Sequence, residues 1–480
     1  MPILWTAAEA SQATGGKTAG AWAATGVSID SRTVAPGDLF VAIKGPSHDG
    51  HAFVADALGV GAAAVVVSKS GFGASVNTNK LLYVDDTMTA LEDLARAART
   101  RSSARIAAVT GSVGKTSTKE SLKLALAADA GAPAVAATQG NLNNHWGLPL
   151  SLARLPETAT YGVFEMGMNH PGEIAPLSRM CRPHVAIITT VADAHSEFFD
   201  SLEQIANAKA EIFEGLLPDG TAILNRDNEM FARLSMVAQE DGHRVTSFGS
   251  ADDADWRLAD LRLLSDSSTI TATFRGQTYR YTLGVPGRHM ALNSLAVLAA
   301  AEALGADVAH AATGLAAMRG LVGRGKRHQV AMTGGMLEVI DESYNASPAS
   351  MRAAIDILGR AEPIGGGRRI AVLGDMLELG QQAEKLHRGL ARPLIDAGID
   401  VVFTAGPYMS ALWDALPQPM RGDHACTAEK LVPLVVAALR PGDIVMVKGS
   451  LGSRTRQIVE ALLALGQSNG SASGRVVNGS

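Results

Sequence analysis

Ile106-Ala107-Ala108-Val109-Thr110-Gly111-Ser112-Val113-Gly114-Lys115-Thr116-Ser117 is an apolar strand run that breaks into a glycine turn and ends on Gly-Lys-Thr, just ahead of a helical run from Lys119 to Leu126. That order of strand, loop and helix is what a phosphate loop needs. Glycines let backbone N–H groups face phosphate oxygens, the helix start adds positive potential, Lys115 reaches the β and γ phosphates, and the Thr116 hydroxyl suits Mg²⁺. Thr110, Gly111, Ser112, Val113, Gly114, Lys115, Thr116 and Ser117 are therefore expected to cradle the phosphates of a nucleotide. Val109 stands where the longer phosphate-loop pattern has Gly, so the loop is the short TGxxGKT form.

Outward from this loop, strand-type runs continue at Tyr161 to Glu165, Val185 to Thr190 and Thr221 to Asn225, separated by helical stretches, as in a doubly wound parallel sheet. Upstream, Leu39 to Ile43, Ala63 to Val67 and Leu81 to Val84 form a smaller α/β block with a helical stretch at His51 to Leu58. Downstream of the basic, Gly-rich Gly320 to Arg327, four more runs (Leu337 to Asp341, Ile370 to Gly374, Val401 to Thr404, Ile444 to Val447) make a second α/β unit. The expected division is a small N-terminal α/β domain at 1–104, a central P-loop-type mostly parallel ATPase domain at 105–326, a C-terminal Rossmann-like domain at 327–466 and a disordered tail at 467–480.

Composition narrows the function. The 480 residues allow about three domains of ordinary size. Lys and Arg total 42 against 47 Asp and Glu, a net charge of −5 that argues against nucleic acid or an anionic membrane surface as partner. The two cysteines, Cys181 and Cys426, have no metal-site spacing. The first 20 residues lack the pattern of a secretory signal, and no apolar run is long enough to span a membrane, so a cytoplasmic enzyme is expected.

Three more residues stand at places where chemistry is done on such a sheet. Glu165 closes a strand at the carboxyl edge, beside the loop, and the turn Asn169-His170-Pro171-Gly172 after it is expected to hold the carboxylate on the rim. His195 follows the run that ends at Thr190. Lys209 lies within a helix that Ser201 and Gln204 cap, among Ala206, Ala208 and Ala210; from pattern alone it reads as a solvated lysine paired with Glu211 or Glu214.

Taken together with Asp30-Ser31-Arg32, Gly37-Asp38-Leu39-Phe40, Asp49-Gly50-His51, Gly140-Asn141-Leu142-Asn143-Asn144, Glu165-Met166-Gly167, Asp341-Glu342-Ser343-Tyr344-Asn345-Ala346 and Gly374-Asp375-Met376, these residues resemble the Mur ligase family over nearly the whole chain. The resemblance implies an ATP-dependent amide ligase of peptidoglycan precursor synthesis, joining D-Ala-D-Ala to a UDP-N-acetylmuramoyl tripeptide, with two Mg²⁺ ions. It implies Lys115, Glu165, His195 and Lys209 as catalytic residues. Thr116 and Glu165 would hold one Mg²⁺, and His195 a second with Lys209 as its carbamylated partner. The nucleotide cradled at Thr110 to Ser117 would be ATP; Asn225, Asn293, Arg324, Asp341 and Glu342 would meet it too, with the phosphate-side role open between Asp341 and Glu342. Ser31, Arg32, Asn141, Asn143 and Asn144 would face the UDP substrate, and Tyr344 and Asn345 the dipeptide. The enzyme is expected to be a monomer.

Two other functions share parts of the pattern. A folylpolyglutamate synthase-like amide ligase would have the central and C-terminal blocks but no separate first domain carrying Asp-Ser-Arg. A nucleotide-switched binding protein of GTPase type would need Asn-Lys-x-Asp after a strand, and the chain has none.

Overall fold

The computed structural model describes residues 2–45, 48–68, 78–192 and 197–470. They form two compact units, one of 1–190, 206–257 and 294–315, the other of 191–205, 258–293 and 316–480.

The first unit is built around the phosphate-loop strand Arg105–Thr110, which lies between parallel strands Tyr161–Glu165 and Val185–Ile188. Thr221–Asn225 and Arg244–Gly249 continue the parallel order on one side, and Val135–Ala137 closes the other. The registers pair Glu165 with Val109 and Ile188 with Thr110, so the carboxyl ends of three neighbouring strands converge at Gly111. Every residue of Tyr161–Glu165 is buried, as expected for a strand covered on both faces. Helix Lys115–Ala130 starts at Gly114, whose φ of 91° turns the chain from strand to helix.

The N-terminal block carries its own sheet, with Gly26–Ser28, Asp38–Val41, Ala64–Ser68 and Leu81–Val84 parallel and Lys17–Thr18 antiparallel at the edge. It is stitched to the central sheet within the same unit. The Trp5 indole N–H donates to the Ala153 carbonyl (2.9 Å), Arg154 Nε to the Val27 carbonyl (2.6 Å), and the buried Arg99 guanidinium to the carbonyls of Cys181 and Arg182 (2.7 and 2.9 Å). Arg99 so satisfies carbonyls left open at the end of helix Ile174–Cys181.

In the second unit, Gly335–Glu342, Ile444–Lys448, Arg369–Gly374, Val401–Ala405 and Arg421–Ala425 run parallel in that spatial order, with Lys326–Met332 antiparallel at the edge. An antiparallel hairpin, Ser268–Phe274 with Gln277–Leu283, belongs to the same unit. Helix Arg456–Gly470 continues four residues into the stretch expected to be a tail; 471–480 lie outside the described residues.

At the carboxyl end of this second sheet Asp375 is buried, and its carboxylate accepts the Met409 N–H at 2.9 Å. Gly406 has φ 116°, and a Cβ there would lie 2.4 Å from the Asp375 carboxyl, so only glycine lets the two loops approach. Burial pushes the Asp375 carboxyl up to about 6, against the opposing backbone N–H groups of Met409 and Tyr408. The neighbouring His387 is neutral by its hydrogen bonds. Its Nε2 accepts the Met376 N–H (2.9 Å), which leaves Nδ1 to donate to the Ala383 carbonyl (2.6 Å).

A raised acid pKa means that the fold prefers the protonated carboxyl. Its contribution to stability is full below about pH 4 and is lost as pH rises through about 6. Asp375→Asn is therefore expected to raise Tm at about pH 8 and to match wild type near about pH 4.5. Calorimetry at the two pH values checks this; a Tm difference of the same size at both would contradict it.

Candidate active site

The phosphate loop is braced from the adjacent strand end. The Ser112 N–H donates to the Thr190 carbonyl (2.9 Å), and the Thr189 hydroxyl donates to the Val113 carbonyl (2.6 Å). Gly111 has φ 147°, and a Cβ there would sit 2.0 Å from Thr189 Oγ1. Gly111→Ala is thus expected to displace Thr189 and weaken ATP binding about tenfold or more, with helix content unchanged. Nucleotide titration of the variant measures this, and wild-type affinity would show that the loop tolerates the shift.

Lys115 opens the helix and its ammonium donates back to the Gly111 carbonyl at 2.6 Å. Thr116 Oγ1 donates to Glu165 Oε2 at 2.8 Å, and the Asn143 amide donates to Glu165 Oε1 at 2.7 Å. The Thr138 hydroxyl accepts the Glu165 backbone N–H at 3.1 Å. Glu165 is fully buried, so the expectation of a rim carboxylate is corrected. A carboxylate this deep is tolerable because each oxygen has a donor, both supplied from distant parts of the chain.

Lys209 also departs from its pattern reading. It is 2% exposed on helix Leu202–Ala210, and both carboxylates expected to pair with it are engaged elsewhere. Glu211 accepts the N–H groups of Gly172, Ile174 and Ala175 at the start of helix Ile174–Cys181, and Glu214 pairs with Arg179. Burial and then the nearby positive charge of Lys115 hold the Lys209 ammonium well below the ordinary lysine range. The charged form is costly here.

Around the same edge, the Asn225 amide donates to the Thr189 carbonyl (3.2 Å) and the Asn228 amide to Thr190 Oγ1 (3.1 Å). Sequence reasoning passes over Asn228; only its position three residues beyond Asn225 points to it. Asn144 Oδ1 accepts the N–H groups of Trp146 and Gly147 at the start of helix Gly147–Ala153, and Asn141 is exposed. Ser31 is half-buried, and Arg32 is exposed and pairs with Asp30 at 2.6 Å. His195 lies outside the described residues.

In the second unit, Asp341 is buried and fully engaged. Its Oδ2 accepts the Gly323 N–H (2.8 Å), and its Oδ1 accepts the Ser343 N–H and hydroxyl (3.1 and 2.6 Å). Glu342 instead pairs with the buried Lys448 at 3.4 Å, and Lys448 also donates to the Asn345 carbonyl at 2.9 Å. The Arg324 guanidinium stacks 4.1 Å over the Tyr344 ring. Asn293 is half-buried on helix Arg288–Ala303.

As chemistry, the first unit offers a loop of N–H groups with an ammonium at the start of its helix, a hydroxyl and carboxylate pair, and a buried amine of reduced basicity. That set suits an anionic phosphate chain with a hard divalent cation. Among the described residues no helix is long and apolar enough to cross a membrane.

Comparison with known proteins agrees with this chemistry. Three family profiles match in series: "Mur ligase family, catalytic domain" at residues 23–99, "Mur ligase middle domain" at 109–301, and "Mur ligase, glutamate ligase domain" at 323–451. The UDP-N-acetylmuramoyl-tripeptide--D-alanyl-D-alanine ligase of Rickettsia prowazekii is 35% identical over 436 residues, covering 90% of this chain and 94% of that one. Its counterpart in Bacillus subtilis is 34% identical over 91% of this chain and 93% of its own length. Among solved structures, MurF from Acinetobacter baumannii superposes with a TM-score of 0.82 at 29% identity, covering 97% of this chain and 100% of that one. The MurF ligase from Thermotoga maritima in complex with ADP gives 0.74 at 27% identity, covering 92% and 98%.

Proposed function

The chain belongs to the Mur ligase family, and from that premise we infer that it is an ATP-dependent ligase joining D-Ala-D-Ala to a UDP-N-acetylmuramoyl tripeptide, with release of ADP and phosphate. The observation that carries this reading is the buried Glu165 carboxylate gripped by Thr116 of the phosphate loop and by Asn143 of the loop assigned to the UDP substrate. One carboxylate thus ties the two substrate sides together.

The tripeptide's terminal carboxylate oxygen attacks the γ-phosphorus of ATP, and ADP leaves. The amine of D-Ala-D-Ala then attacks the acyl carbon, phosphate departs with that carboxylate oxygen, and the amine loses a proton. Both first reactants are anions, so the site must neutralise charge before they can meet. Lys115 and the N–H groups of Gly111, Val113 and Gly114 do this from the protein side, while the Ser112 N–H holds the loop to Thr190.

Mg²⁺ fits the residues present. Thr116 and Glu165 would supply two hard oxygens to it, leaving its other positions to waters and phosphate oxygens. When bound it supplies further charge neutralisation at the phosphates. The family resemblance calls for a second Mg²⁺, which needs an anionic ligand of its own. Carbamylated Lys209, with His195, is our proposal for it: the neutral amine nitrogen adds to the carbon of CO₂, one proton leaves, and a carboxylate results. The lowered basicity of Lys209 is the condition that this addition needs.

In the same reading Asn225, Asn293, Arg324 and the Asp341-Glu342 pair serve ATP, Ser31, Arg32, Asn141, Asn143 and Asn144 serve the UDP substrate, and Tyr344 and Asn345 serve the dipeptide. Asp341 is engaged by Gly323 and Ser343 and Glu342 by Lys448, and the ATP-side role is proposed for the pair. The domain divisions at 104, 326 and 466, a monomeric state and a cytoplasmic site of action, where ATP and UDP-linked precursors are available, belong to the same proposal. The test is ADP release from purified protein with all three substrates: release dependent on both the muramoyl tripeptide and D-Ala-D-Ala is expected. Release stimulated by a folate and glutamate instead would favour the folylpolyglutamate synthase reading.

A further inference from the structure

Lys119 is a deeply buried cation near the site, with its side chain 0% exposed, yet it belongs to none of the groups assigned to a substrate. It lies one helical turn beyond Lys115. All three ammonium protons are matched by acceptors: Glu120 Oε1 at 2.6 Å, the Thr138 carbonyl at 2.7 Å and, more loosely, the Gly140 carbonyl at 3.4 Å. A buried ammonium is costly unless so matched, and a core built only for stability would more simply use an apolar residue there.

What it grips explains the expense. Thr138 and Gly140 begin the segment between strand Val135–Ala137 and helix Gly147–Ala153, which carries Asn141, Asn143 and Asn144. Thr138 is tied twice more, its N–H to the Val163 carbonyl (3.0 Å) and its hydroxyl to the Glu165 N–H (3.1 Å). Farther along, Asn143 donates to Glu165 and its carbonyl accepts the Gly167 N–H at 2.8 Å. The phosphate-loop helix therefore reaches Glu165 by two routes, directly through Thr116 and indirectly through Lys119 and the asparagine loop.

We propose that Lys119 is a positioning residue that fixes the asparagine loop to the phosphate-loop helix, so that the UDP-substrate side and the ATP side of the site keep one register. This rests on the ligase reading of the same site. The phosphate loop has its own supports, Ser112 to Thr190 and Thr189 to Val113, which do not pass through Lys119. Loss of the ammonium should loosen one substrate side and spare the other.

The experiment is steady-state ligation and ADP titration of Lys119→Met and Lys119→Arg in the full chain. For Lys119→Met the expected result is a rise in KM for the muramoyl tripeptide of about tenfold and a fall in kcat of similar size, with ADP affinity within about threefold of wild type. Lys119→Arg, which keeps charge and donors, should recover part of both. A filler role predicts a lower Tm with unchanged KM and kcat in the folded enzyme, and that result would overturn the proposal, as would equal losses of ADP and tripeptide affinity. If Lys119→Met does not fold, Gly140→Ala decides: Gly140 has φ 57° and no atom within 4 Å of where a Cβ would stand, so the substitution strains only the turn whose carbonyl Lys119 holds. It should raise the tripeptide KM while leaving ADP affinity as in wild type, and an unchanged KM would overturn the proposal. Failure of wild type to ligate would instead overturn the ligase reading.

Discussion

Lys209→Ala is expected to lose about 10²–10³-fold in kcat while binding ADP nearly as well as wild type, because a carbamate on Lys209 would help hold a second Mg²⁺ with His195 rather than hold the nucleotide. Burial together with Lys115 disfavours the charged form of Lys209, and the carboxylates nearest in sequence are engaged elsewhere, so removing it should leave Tm unchanged or raised. Acetate added to the variant is expected to restore part of the turnover by returning a carboxylate to the vacated volume. Turnover at the wild-type level without acetate would contradict the carbamate assignment.

Lys115→Ala is expected to be at least as severe, about 10³-fold in kcat/KM, because the loop's side-chain cation is lost where phosphate charge develops. Lys115 is half-buried in the first helical turn and its ammonium turns back to the Gly111 carbonyl of its own loop, so the fold should survive, as circular dichroism would show. The two lysines are also coupled. Lys115 is one reason that Lys209 resists protonation, so its loss should make Lys209 more basic and less ready to add CO₂. Acetate is therefore expected to do little for Lys115→Ala, and full recovery with acetate would show that the cation itself is dispensable.

Much of the fold is legible because parallel strands buried on both faces leave continuous apolar runs. Arg105–Thr110, Tyr161–Glu165, Thr221–Asn225 and Leu81–Val84 stand within one residue of where those runs place them. Ser268–Phe274 and Gln277–Leu283 escape such a reading because they alternate Thr, Arg and Gln with apolar residues around a short turn and form no such run. Position along the sheet is legible too, which places Glu165 beside the phosphate loop.

Burial and pairing are not. Glu165 is satisfied by Thr116, 49 residues away, and by Asn143, 22 residues away, and no local pattern encodes either. The ion pair expected for Lys209 fails for the same reason. Glu211 and Glu214 are close in sequence but are drawn off by backbone N–H groups of helix Ile174–Cys181 and by Arg179, segments that only the fold brings near. Lys119 sits in plain view at the start of a helical run, where a lysine reads as solvent-facing until its three acceptors are seen.

In the proposed mechanism the tripeptide carboxylate is activated by phosphorylation before the amide forms. The direct measurement is a single ligation with the tripeptide's terminal carboxylate labelled with ¹⁸O, followed by mass analysis of the inorganic phosphate released. Transfer of label into phosphate, one oxygen for each peptide bond made, is the predicted result. Amide product accompanied by unlabelled phosphate would contradict it.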